Sequence, residues 1–213
     1  MSQVLPPAEP ERDRQTAPWR SVELVSLDFE ATGLDLRRDR IISFGTVPIR
    51  RGGIELAGSV YQLVDPGDVT PTPASITVHG LRAVDLAGAP SVQMARTSLR
   101  RSIERRFLVT WWAPVVAAFL DVLFGGGRQA WMRRAVDVRD LVLGLEGRSA
   151  ARLTLGQAAE RFGVPVASPH NAFDDALVTA QLFLVTATKL GKRARSVRDM
   201  QGLRPRSRLR GRR

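Results

Sequence analysis

An apolar run from Val22 to Leu27 ends on two acids one residue apart, Asp28-Phe29-Glu30, and this pattern limits the folds open to the chain more than any other. A short apolar run bounded by polar residues predicts a buried strand. On a strand, residues i and i+2 share a face, so Asp28 and Glu30 project side by side. Adjacent carboxylates repel, and without a cation one tends to hold a proton. A hard divalent cation such as Mg²⁺ relieves the repulsion, because it takes oxygen ligands. Far downstream, His170-Asn171-Ala172-Phe173-Asp174-Asp175-Ala176 offers a histidine and more acid. The sequence therefore points to a metal site on a strand end, completed by a distant segment.

A chain of 213 residues with 44% hydrophobic residues suits one globular domain with a tail at each end. The absence of cysteine excludes disulfides and thiolate zinc sites, and fits a reducing, cytoplasmic setting. The net charge of +11 is uneven: Lys189–Arg213 holds 11 of the 32 Lys and Arg residues against one acid, Asp199. Such a run attracts phosphate backbones without reading sequence; its bland reading is a solubilising end. The expected organisation is a disordered, Pro-rich leader over 1–19, a domain over 20–190 and a basic disordered tail over 191–213. No membrane span is expected. The apolar stretch Phe107–Leu120 holds Pro114, is closed by Asp121, and falls short of the roughly 20 residues needed.

After the first strand, 40–49 and 54–64 read as β-runs around an Arg51-Gly52-Gly53 hairpin turn. Residues 65–90, rich in Pro, Gly and Asp, read as a long loop. A helix over 91–106, a strand over 107–111 and a helix over 115–124 follow. Residues 135–138 form a short strand, and 140–145 and 153–162 form helices, with Thr154 as N-cap. A last helix runs over 172–190. A meander followed by alternating helix and strand predicts an α/β sheet with helices on its faces.

Asp28-Phe-Glu-Ala-Thr-Gly-Leu34, Ile76-Thr-Val-His-Gly-Leu81 and His170-x4-Asp175-Ala176 together resemble the DnaQ-like 3′–5′ exonucleases of the DEDDh type. That family includes the proofreading subunit of bacterial DNA polymerase III, RNase T and oligoribonuclease. The stretch Leu153–Pro165 is similar to the helix preceding the family's last motif. The resemblance implies a ribonuclease H-like mixed sheet flanked by helices and a two-metal phosphodiester hydrolase. Asp28, Glu30 and Asp175 would hold two Mg²⁺ or Mn²⁺ ions, and His170 would accept a proton from water. The product would be a nucleoside 5′-monophosphate cut from a single-stranded DNA or RNA 3′ end, with a DNA polymerase as a further partner. Thr32, Gly33 and Leu34 would lie against the terminal nucleotide. His79 would pack in its loop or border the substrate cleft. Asp174 reads as a solvated first-turn acid favoured by the helix dipole.

One position departs from the family. Its middle motif resembles His-Asn-Ala-Ala-Phe-Asp, whereas this chain carries Trp111-Trp112-Ala113-Pro114-Val115-Val116, so Val116 stands where a metal-binding acid is expected. Asp121 lies five residues on, about 140° around a helix; Asp121, Asp137 and Asp140 are the acids that would have to substitute. Trp111 and Trp112 read as core, at least in part, and the tryptophans also offer base-stacking surfaces. Two readings follow: a metal-dependent exonuclease, or a weakly active or inactive nucleic-acid-binding module on the same fold.

Overall fold

The computed structural model describes residues 8–10 and 12–203. Six strands and nine helices are found there. In chain order they are β1 (Leu24–Ala31), β2 (Ile41–Arg50), β3 (Gly53–Ile54), β4 (Val60–Leu63), α1 (Pro73–His79), α2 (Ala83–Leu86) and α3 (Val92–Ile103). Then come β5 (Phe107–Thr110), α4 (Ala113–Phe124), α5 (Arg128–Arg134), β6 (Ala135–Asp137), α6 (Val138–Glu146), α7 (Leu155–Arg161), α8 (Ala172–Leu190) and α9 (Val197–Gln201). The strands form one mixed sheet in the order β3-β2-β1-β5-β6, with β4 also paired to β2. The β1–β2 pair is antiparallel, and β1, β5 and β6 run parallel. Helices cover both faces.

Side-chain alternation along β1 decides what each face receives. Leu24 joins Val47, Ile49, Phe107, Val109 and Val136 in the core beneath α6, α7 and α8. Val25 and Leu27 join Ile41, Phe44 and Leu108 in the core beneath α3, α4 and α5. Asp28 and Glu30 continue the Leu24 side, so both carboxylates emerge on the α8 face at the carboxyl end of β1. Across the antiparallel pair Asp28 stands opposite Gly45 and Glu30 opposite Ser43; the register slips after Glu30, where β1 leaves the ladder.

The structure departs from the sequence-based expectation in several places. The loop expected over 65–90 contains α1 and α2. Thr72 caps α1 with its hydroxyl, Pro73 sits in the first turn and Gly80 closes the helix in the left-handed region at φ 75°. Residues 54–64 are broken into β3, a 3-10 turn over Leu56–Gly58 and β4. Helix α5 was not foreseen. The leader expected over 1–19 is folded from Arg12 on: 3-10 turns span Arg12–Thr16 and Trp19–Ser21, and Trp19 is buried edge-on against Phe183 at 5.2 Å. The tail expected over 191–213 is folded to Leu203, because Val197 and Met200 are apolar and find the α8 core. Residues 204–213, the rest of that tail, lie outside the described residues. No helix among the described residues is long and apolar enough to cross a membrane.

Candidate active site

Asp28, Glu30 and Asp175 converge. One carboxylate oxygen from each lies within 4.8 Å of the others, and this is the metal-competent group of three or more such side chains found among the described residues. Asp28 and Glu30 reach it through the two-residue repeat of β1. Asp175 reaches it from the first turn of α8, whose start is set by Asn171: its side-chain oxygen accepts the backbone N–H groups of Phe173 and Asp174. Asp174, one residue away, is not part of the group.

Gly45 makes this convergence possible. It pairs with Asp28, and a Cβ there would collide with the Ala172 carbonyl and the Phe173 backbone. The N-terminus of α8 thus rests directly on the β2 backbone beside Asp28. Sequence reading missed Gly45, although a glycine inside an otherwise apolar strand signals a close approach.

Electrostatics mark the cluster as strained without a counter-charge. Burial, then Glu30 and Asp175, push the Asp28 carboxyl well above the usual range. Burial, with Asp175 adding, lifts Glu30 from 4.5 to about 8. Burial also raises Asp175. Three carboxylates facing one another, Glu30 buried and Asp28 and Asp175 partly so, form an oxygen donor set fitted to a hard divalent cation.

His170 precedes α8 on an exposed stretch with φ 62°, a left-handed conformation that histidine visits more readily than most residues. Its backbone N–H donates to Asp175 Oδ2 at 3.2 Å, tying the histidine to the rim of the cluster. His79 ends α1, and its Nδ1 accepts the Leu81 N–H at 3.0 Å, so the neutral ring carries its proton on Nε2. Burial lowers its pKa, the nearby Ala31 carbonyl opposes this, and His170 is close enough to repel its charge. The α1 loop therefore abuts the end of β1.

The Thr32-Gly33-Leu34 segment splits in character. Thr32 is fully buried; its hydroxyl donates to Asp39 Oδ1 at 2.8 Å and accepts the Arg40 N–H, while Asp39 Oδ2 accepts the Asp35 N–H at 2.7 Å. The Thr32 side chain is thus turned inward, into the loop's own hydrogen bonds. Asp39, missed in the sequence, holds the loop closed, and a Cβ at Gly33 would strike its carboxylate. Leu34, 70% exposed, is the side chain the loop presents outward. Tyr61 was also missed. It pairs with Gly45 on β4, in one row with Asp28, and its hydroxyl pKa is raised by burial and by Glu30.

Val116 lies in the first turn of α4, buried in the core with Phe119 and Leu120, and supplies no oxygen. None of the proposed substitutes joins the cluster. Asp121 Oδ1 accepts the Gly127 N–H at 2.9 Å, closing the far end of α4. Asp137 accepts the N–H groups of Ala113 and Arg139, both at 3.0 Å, which fixes the starts of α4 and α6; burial lifts its carboxyl to about 7. Asp140 sits exposed in the first turn of α6.

The mixed sheet flanked by helices is that of the ribonuclease H-like exonucleases, and it carries an acidic cluster at the end of β1. The chain belongs to the RNase T family, whose model, described as Exonuclease, matches residues 25–183. It is 30% identical, over 86% of its length, to a DNA polymerase III subunit epsilon-like protein of Rhodobacter capsulatus, and covers 28% of that relative. It is 28% identical, over 78% of its length, to a PolC-type DNA polymerase III of Thermotoga petrophila, of which it covers 12%. The chain therefore spans between about a tenth and little more than a quarter of the length of the curated relatives it matches. Among solved structures, the nuclease domain of 3′hExo, a DEDDh family member bound to rAMP, aligns with a TM-score of 0.65 at 16% identity, covering 90% of this chain and 99% of that one. Exonuclease I of E. coli in complex with a dT13 oligonucleotide aligns with a TM-score of 0.64 at 13% identity, covering 79% and 42%. At these identities the two structures speak to the fold.

Proposed function

We propose that the domain is a divalent-metal-dependent 3′–5′ exonuclease that removes nucleoside 5′-monophosphates from unpaired nucleic-acid ends. The observation that carries this reading is the convergence of Asp28, Glu30 and Asp175 within 4.8 Å at the carboxyl end of β1. Asp28, Glu30 and Asp175 would hold the cation, Mg²⁺ or Mn²⁺. When bound, such an ion lowers the pKa of attacking water and offsets charge on the phosphate. His170, at the rim, takes the water's proton as general base. Leu34 and the His79 loop border the place where the terminal nucleotide rests. The rAMP and oligonucleotide complexes of the two structural relatives favour this substrate and product class. The kinship with polymerase III proteins favours work beside a DNA polymerase.

The buried Val116 favours a second reading, a nucleic-acid-binding module with slow or no turnover, because the donor set holds three acids where the resemblance implies four. One assay separates the two: 5′-labelled single-stranded DNA and RNA incubated with Mg²⁺, then with Mn²⁺. Stepwise 3′ shortening that is lost in Asp28→Ala and His170→Ala supports the exonuclease. Binding without shortening selects the module. In the first case Val116→Asp raises the rate and increases the Mn²⁺ bound per chain from one to two. No change in either would show that the fourth acid is not what limits this site.

A further inference from the structure

The loop from β5 into α4 carries Trp111 and Trp112 where the resembling family has a histidine and an asparagine, and the two rings take different fates. Trp111 packs against the α8-side core. Trp112 is 47% exposed, a large apolar area to leave in water. The β1–β5 register pairs Ser26 with Val109; carried two residues on, it sets Asp28 level with Trp111. Trp112 therefore leaves the sheet at the same edge as the acidic cluster, outside the carboxyl ends of parallel strands, where open α/β sheets bind ligands.

The ring is also held in place. The Arg139 guanidinium lies over it, 5.3 Å from the ring centroid, and donates to the Ala151 carbonyl at 3.2 Å. Asp137 accepts both the Ala113 N–H, next to Trp112, and the Arg139 N–H. The backbone next to the tryptophan and that of the arginine are thus tied to one carboxylate, and the guanidinium braces one face of a ring that stays half exposed. A braced, half-exposed indole at the same strand end as the acidic cluster matches the way single strands are gripped, since every base has a face to stack and no sequence is read.

We propose that Trp112, braced by Arg139, is a stacking platform for an unpaired base of the strand whose 3′ end lies at Asp28, Glu30 and Asp175. This rests on the nuclease reading and adds to its site a residue that grips the unpaired strand. A base inside a duplex, stacked on both faces, cannot lie on the ring.

The test is binding without turnover. Wild type, Trp112→Ala and Trp112→Phe, in EDTA, are titrated with a 5′-fluorescein 12-nucleotide single strand and with the blunt duplex of the same sequence. Trp112→Ala weakens single-strand binding by about 5- to 150-fold, the range for losing one base stack, while Trp112→Phe keeps most of the affinity. Duplex binding changes little in either variant. Quenching of the intrinsic fluorescence on adding single strand is large in wild type and much reduced in Trp112→Phe. Equal single-strand affinity for Trp112→Ala and wild type, or equal losses for single strand and duplex, overturns the platform while the nuclease assay still stands. Failure of that assay instead, with the affinity loss intact, leaves a binding module and removes the nuclease reading.

Discussion

Glu30 holds its proton up to about pH 8, against an ordinary value of 4.5, because burial and Asp175 oppose its charge. Asp28 and Asp175 are shifted the same way. For an acid whose folded pKa is raised, the folded chain holds a proton that the unfolded chain has already lost between the two values. Stability is therefore full below about pH 4.5 and falls as pH rises toward 8. A divalent ion bound by the ionised acids reverses that loss. The melting temperature of EDTA-treated protein should fall steadily from pH 5 to 8, and the gain from Mn²⁺ should be larger at pH 8 than at pH 5. Glu30→Gln should flatten the first trend and shrink the second. A flat melting profile in EDTA would contradict the electrostatic account of the cluster. These acids were legible in the sequence because strand alternation and the His170-x4-Asp175 spacing are local patterns. The inward hydrogen bond of Thr32 was not legible, because its partner, Asp39, sits seven residues on in an irregular loop that carries no periodicity.

Helix α8 brings Asp175 to β1 only because β2 is bare at Gly45. Gly45→Ala should push the two elements apart, costing about 1–3 kcal/mol as overpacking. It should weaken Mn²⁺ binding more than a surface change of equal cost, since the cluster spans that contact. A calorimetric titration beside a thermal melt separates the two effects, and unchanged Mn²⁺ affinity would show that α8 does not set the geometry. The long apolar elements, β1, β2, α4 and α8, were readable from their patterns. The short ones were not, for distinct reasons. The cap Thr72, Pro73 and Gly80 of α1 were visible, but in a Pro- and Gly-rich stretch they read as turn residues. Helix α5 follows three glycines in the left-handed region and carries Arg134, which reads as surface yet is buried, donating to the carbonyls of Ile103 and Arg106. An arginine whose Nε and Nη2 meet backbone carbonyls cannot be told from a solvated one by composition.

At the scale of the whole molecule, the two chain ends brace each other behind the sheet. Trp19 donates its N–H to the Arg195 carbonyl at 2.8 Å, Pro18 bridges to Ser196, and Gln201 Nε2 donates to the Ala135 carbonyl at 2.7 Å. Charge composition concealed this, because basic residues from Lys189 onward surround a few apolar anchors. Val197 and Met200 are buried to 0% and 1% exposure, and burying each such side chain contributes about 1.5–3 kcal/mol. Losing both would remove a large part of a typical domain's total of about 5–15 kcal/mol. Ending the chain after Leu190 should therefore lower the melting temperature sharply or prevent folding. Ending it after Leu203 should leave the melting temperature and the Mn²⁺ response intact, yet remove six arginines from 204–213. If those arginines meet phosphates, single-strand binding loses salt dependence: the slope of log affinity against log salt should shrink by up to about 4. Unchanged slopes would mean that the basic run contacts no nucleic acid, and an unaltered melt for the Leu190 truncation would mean that α9 is not part of the folded unit.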